Sequence, residues 1–117
     1  MLDMQPETDR LKRALHFARE HLHEPLPVER LAESVHVGAR QFSRLFLRET
    51  GETPAKAVER LRAEVAHAQV AGTTHSLEAI ARRVGFANPE RMRRAFLRLY
   101  VLPPQAVRRI AVREAGT

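Results

Sequence analysis

The stretch AESVHVGARQFSRLFLRETGETP, residues 32–54, returns as ARRVGFANPERMRRAFLRLYVLPP, residues 81–104, with one extra residue at the turn. Ala32, Val35 and Val37 correspond to Ala81, Val84 and Phe86 at an offset of 49; Phe42, Arg44, Phe46, Leu47, Arg48 and Pro54 correspond to Met92, Arg94, Phe96, Leu97, Arg98 and Pro104 at an offset of 50. Apolar residues at helical spacing on either side of a short break describe two helices joined by a tight turn, and the motif occurs twice. A repeated core would explain the apolar positions alone. The arginines that return with them point to two similar surfaces facing similar chemistry.

The flanking sequence supplies the other helices. Residues 8–21 carry Leu11, Leu15, Ala18 and Leu22 toward one side and Arg10, Lys12, Arg13 and Arg19 toward water, and Pro25 and Pro27 stop that helix. Residues 28–35 use Val28, Leu31, Ala32 and Val35 as an apolar stripe, in which small Ala32 allows close approach of a neighbour. Beyond His36 and Val37, a helix over 38–50 turns Phe42, Leu45, Phe46 and the stem of Glu49 inward, and Gly51 ends it. Thr53 caps, and Pro54 opens, a long helix to residue 71 with Val58, Leu61, Val65 and Ala68 or Gln69 along one side. Such a helix is about 27 Å long, a spacer suited to holding two units on successive turns of one DNA face.

The second copy follows the same plan. Ser76 caps a helix through residue 83 that holds Leu77, Ile80, Ala81 and Val84 inside, and Gly85 makes the turn. Asn88 before Pro89 caps the next helix, which runs to residue 99 and buries Met92, Phe96 and Leu99. Pro104 opens a last helix to residue 111, with Val107 and Ile110 covering the second core. The expected fold is all-α: a seven-helix, bundle-like domain of two helix-turn-helix units, residues 8–52 and 73–113, joined by a linker helix over 53–72. The tails at 1–7 and 114–117 are expected to be disordered.

Composition narrows the function. A chain of 117 residues can build one compact domain or two small ones sharing a helix. Without cysteine it has no disulfide, thiolate nucleophile or cysteine-ligated zinc. The start, MLDMQPETDRLKR, lacks the basic-then-apolar order of a secretory signal, and no run is long enough to cross a bilayer, so a cytoplasmic protein with no membrane partner is expected. His21 and His23, with Glu20 and Glu24, sit at a helix end without a closed zinc pattern, and no metal or cofactor is expected. His67 and His75 are assigned to the linker surface. Asp3 and Asp9 are the only aspartates, and no serine has a histidine–acid arrangement near it, so no enzyme is expected.

The net charge of +6 rests mainly on arginine, whose planar fork suits phosphates and guanine edges. A genome rich in G and C would also enrich arginine, so placement has to decide. In a helix-turn-helix the second helix enters the major groove while the first crosses the backbone. From the first reading helix Arg40, Gln41, Ser43, Arg44 and Arg48 are the candidate DNA contacts, with Arg40 and Arg44 the direct readers. From the second they are Glu90, Arg91, Arg93, Arg94 and Arg98, where Glu90 either accepts from a cytosine amine or restrains a neighbouring arginine. Between Arg82 and Arg98 six arginines face one glutamate, so the second unit is expected to supply more backbone affinity.

The motifs LAESVHVGARQFSRLFLRETGETP and IARRVGFANPERMRRAFLRLYVLPP resemble the DNA-binding region of the AraC/XylS family of bacterial transcriptional regulators, over residues 10–112. TGETPAKAVERLR and LEAIARRVGF particularly resemble members in which this domain follows an amidase-like or DJ-1/PfpI-like amino-terminal domain. The resemblance implies seven helices and insertion of both reading helices into adjacent major grooves of double-stranded DNA. It implies contacts from Arg40, Ser43 and Arg44 and from Glu90, Arg91 and Arg94. It also implies transcriptional control, more often activation, with RNA polymerase as a further partner and a sensing or dimerisation domain elsewhere in the protein. Gly38 stands where the family often has a serine cap, Pro89 replaces a polar first-turn residue and Met92 replaces a leucine anchor. The competing readings are a helical protein adaptor, which predicts an exposed apolar patch, and a non-specific basic nucleic-acid-binding module; neither explains two copies of the turn.

Overall fold

The computed structural model describes residues 6–116, which form seven α-helices and no strand. They are α1 (Pro6–Glu20), α2 (Val28–Ser34), α3 (Ala39–Thr50), α4 (Pro54–Gly72), α5 (Leu77–Arg83), α6 (Pro89–Tyr100) and α7 (Pro104–Ala115). Of the tails expected to be disordered, residues 1–5 and Thr117 lie outside the described residues. Glu7 instead belongs to the first turn of α1, and Glu114 and Ala115 to the last turn of α7.

The expected caps are made. The Thr53 hydroxyl accepts from the Lys56 amide at 3.2 Å, Ser76 from Ala79 at 3.0 Å and Asn88 Oδ1 from Arg91 at 2.9 Å. Each satisfies one of the donors that a helix start leaves free. Gly51 ends α3 in the left-handed region, φ 80°, with its amide on the Leu47 carbonyl at 2.8 Å. A device the sequence did not announce closes α4. Arg108 of α7 donates from Nε to the Val70 carbonyl and from Nη2 to the Thr73 carbonyl, both at 3.1 Å, placing a cation where the helix dipole is negative.

The chain divides into two compact units within α4, one up to Val58 and one from Glu59 onward. Most of the helix expected as a spacer over 53–72 therefore belongs with the second unit. In the first unit α1, α2 and α3 pack on one another and bury Leu11, Ala14, Ala18, Leu22, Leu31, Ala32, Val35, Phe42, Leu45 and Phe46. In the second, Ala63, Ala66 and Val70 of α4 share a core with Ile80, Ala81, Val84, Phe86, Met92, Ala95, Phe96 and Val107. The repeat thus reaches beyond the helix-turn-helix. At an offset of 52, Leu11, Ala14 and Ala18 of α1 match Ala63, Ala66 and Val70 of α4, all buried. The alanines bring helices close enough for backbone-to-backbone packing, and the aromatic anchors fill the remaining space; truncating Phe46 or Phe96 to alanine would cost about 3–5 kcal/mol.

Several inward assignments are corrected. Glu49, Leu99 and Ile110 are exposed, and Ala95 and Ala106 take the inward positions in α6 and α7. Ala14 is buried where Leu15 is only partly so, and Ala68 is exposed while Gln69 is partly buried. His67, expected on the linker surface, lies with its ring 4.6 Å from that of Tyr100 and 5.9 Å from that of Phe96. Burial and the nearby Glu64 carboxylate raise the Tyr100 phenol above its usual range. Arg10, expected in water, is partly buried.

Candidate nucleic-acid interface

In each unit the apolar side of the second helix of the motif is anchored, which fixes what the opposite side presents. Phe42, Leu45 and Phe46 hold α3, so Arg40, Arg44 and Arg48, four residues apart, form a stripe on its exposed side, with Gln41 exposed beside them and Ser43 partly buried at the edge. Met92, Ala95 and Phe96 hold α6 in the same way and expose Glu90, Arg91, Arg93, Arg94 and Arg98. All ten sequence-derived positions thus lie on the two helices, nine exposed and Ser43 partly so.

The two stripes differ in charge. Arg40 is matched by Glu90, and that carboxylate lies 3.2 Å from Arg94 Nε and 3.7 Å from Arg93 Nη1. Glu90 is thus ion-paired with both of these arginines. Arg98 is ion-paired with Glu59 of α4. On α3, Arg48 reaches its neighbour Glu49 at 3.3 Å, whereas Arg40 and Arg44 have no ion pair among the described residues. These are exposed pairs of the kind that contributes little to stability and exchanges readily for another anion.

Three residues outside the expected set lie beside these faces. Glu7 and Arg10 of α1 line an open hollow together with Gly38 and the Arg40, Gln41, Arg44 and Arg48 side of α3. The Arg10 Nε is shut off from solvent and has no hydrogen-bond partner among the described residues. In the second unit Arg62 of α4 donates to the Val84 carbonyl at 2.9 Å, at the end of α5; burial and the charge of Arg91 lower its pKa from the usual arginine range. Arg62 is the match of Arg10 at the offset of 52, and that longer repeat was the signal that could have found both.

Among the described residues no group of three His, Cys, Asp or Glu could hold a metal ion, and no helix is long and apolar enough to cross a membrane. His21 stacks on Phe17 and shares a 2.8 Å hydrogen bond with its carbonyl, while His23 lies 3.3 Å from Glu24.

Comparison with known proteins gives a family model described as a helix-turn-helix domain, matching residues 31–110. The HTH-type transcriptional regulator Rv1931c of Mycobacterium tuberculosis is 40% identical over 79 residues, which are 68% of this chain and 30% of that protein. Among solved structures, the DNA-binding domain of AdpA, a global transcriptional factor in complex with a target DNA, superposes with a TM-score of 0.79 at 32% identity, covering 86% of this chain and 91% of that one. A transcriptional regulator from Chromobacterium violaceum with an AraC-type DNA-binding domain gives a TM-score of 0.83 at 25% identity, covering 88% and 92%. The chain spans 30% to 43% of the length of the curated relatives it matches.

Proposed function

Because this chain belongs to the helix-turn-helix domains of the AraC/XylS type, we propose that it regulates transcription by placing α3 and α6 in adjacent major grooves of one double-stranded DNA site. The observation that carries this reading is the duplicated arginine-bearing face. The same apolar anchors return with Arg44 and Arg94 at equivalent positions on the exposed sides of two separate helices. Arg40 and Arg44, with no ion pair among the described residues, test base edges, with Gln41 and Ser43 beside them, and Arg48 holds the backbone. On α6, Arg91, Arg93 and Arg94 meet DNA, with Glu90 governing how far Arg93 and Arg94 are free to do so, and Arg98 exchanges Glu59 for phosphate.

Replacing Arg44 with alanine tests the assignment. Loss of a guanidinium that reads a base costs about 1–3 kcal/mol on the preferred duplex and much less on a scrambled one. Equal losses on both would make Arg44 a phosphate clamp and remove it from the reading set. The share of the relatives' length that this chain covers supports a module working within a longer cytoplasmic regulator, whose sensing or dimerisation lies elsewhere. Activation through RNA polymerase rests on the family alone, and a promoter fusion reporting activation or repression decides it.

A further inference from the structure

Resting on that reading, we propose that Glu90 is a specificity-determining residue that gives the DNA site a direction. The two half-sites share a guanine, opposite Arg44 and Arg94, and differ at one matched position, with guanine opposite Arg40 and cytosine opposite Glu90. The offset of 50 matches Arg40 with Glu90, Arg44 with Arg94, and the buried anchors Phe42 and Phe46 with Met92 and Phe96. Equal anchoring turns α3 and α6 alike, each within its own unit, so matched residues stand at the same place on their reading helices. Arg40 and Glu90 both lie in the first turn, the part of a reading helix that meets base edges. There the charge inverts. The helix dipole favours Glu90, but it opposes Arg40, and the first turn of α3 holds no acidic residue to offset that cost. Both ion pairs of Glu90 fall on Oε2, and its Oε1 takes part in neither. Arg94 meets that carboxylate through Nε, which leaves its Nη groups for a guanine. A guanidinium only donates and an ionised carboxylate only accepts. Arg40 therefore selects the O6 and N7 acceptors of guanine, and Glu90 selects the N4 amine of cytosine. Facing guanine, the carboxylate would set its oxygens against those same acceptors, a repulsion that rejects the wrong base. The half-sites are then not interchangeable, and the protein binds in one orientation.

The test titrates the wild type, Glu90→Gln and Arg40→Glu against the selected site and against duplexes that change one base pair at a time. For the wild type, one position in the second half-site should prefer cytosine to guanine by about tenfold, and its counterpart in the first should prefer guanine to cytosine by a similar factor. Glu90→Gln should lose cytosine at that position in favour of adenine, whose N6 and N7 suit an amide, with every guanine preference kept. Arg40→Glu should turn the matched position of the first half-site from guanine to cytosine. An acidic residue at a helix start favours folding, so this arm reads out independently of the other variant. A Glu90→Gln variant that binds every duplex more tightly by one common factor would reduce Glu90 to a counter-charge for Arg93 and Arg94. That result, or guanine preferred at both matched positions, would overturn the inference, while the wild type's preference for one site leaves the proposed function intact. A wild type that binds all the duplexes equally would instead refute sequence reading itself, and the inference with it.

Discussion

His36 and Gly51 in the first copy, and Gly85 and Val101 in the second, hold the same two left-handed positions, with φ of 61°, 80°, 90° and 65°. Each copy therefore places one glycine and one side chain where only glycine is unstrained. Val101 is β-branched and 79% exposed, so it has strain to lose and almost no packing to give up. Val101→Gly should raise stability by about 0.5–1 kcal/mol, the relief of about 1–2 kcal/mol being partly offset by the freedom of glycine in the unfolded chain. His36→Gly should gain less, because histidine tolerates this region better. Urea unfolding measures both, and a destabilised Val101→Gly would contradict the account. At this scale the sequence was informative about the repeated anchors and arginines, but it hid what each arginine touches. Nothing in local spacing ties Arg98 to Glu59, which are 39 residues apart, and Arg10 reads as one more polar residue on an amphipathic helix.

Among the elements, the helix starts carry the clearest trade between stability and binding. Asn88→Ala removes the cap of α6 and should cost about 0.5–2 kcal/mol. Gly38 has an ordinary φ of −71°, and a Cβ there meets nothing within 4 Å, so Gly38→Ser can form the missing cap of α3 at a gain of only a few tenths of a kcal/mol. Gly38→Asp should also stabilise α3 while weakening duplex binding, because its carboxylate takes the amides and adds negative charge at the hollow. Thermal melts beside duplex titrations check both; an aspartate variant that binds as well as the wild type would exclude the start of α3 from the interface. The helices were legible because apolar periodicity, proline and capping residues agree at each of them. The misplaced core residues share a cause. Leu99 and Ile110 are large and fall at helical spacing, whereas Ala95 and Ala106, which do the packing, are too small to announce a buried face.

For the molecule as a whole, the repeat was read correctly as two motifs, and its full length emerged only from the cores. Because the connection before α5 is three residues shorter than that before α2, the match between α1 and α4 drops out of register with the offsets of 49 and 50 that reveal the motifs. The same α4 that was expected as a spacer supplies Ala63, Ala66 and Val70 to the second core, and each unit contains a first helix bearing an arginine near its helix-turn-helix. The central claim is that these two faces read one DNA sequence together. Selection from a randomised duplex library, followed by titration of the recovered site against a scrambled duplex at one moderate salt concentration, tests it most directly. The account predicts a shared sequence extending across two neighbouring major grooves and a preference on the order of 10³-fold or more. Recovery of no shared sequence, with equal titration curves for both duplexes, would contradict it.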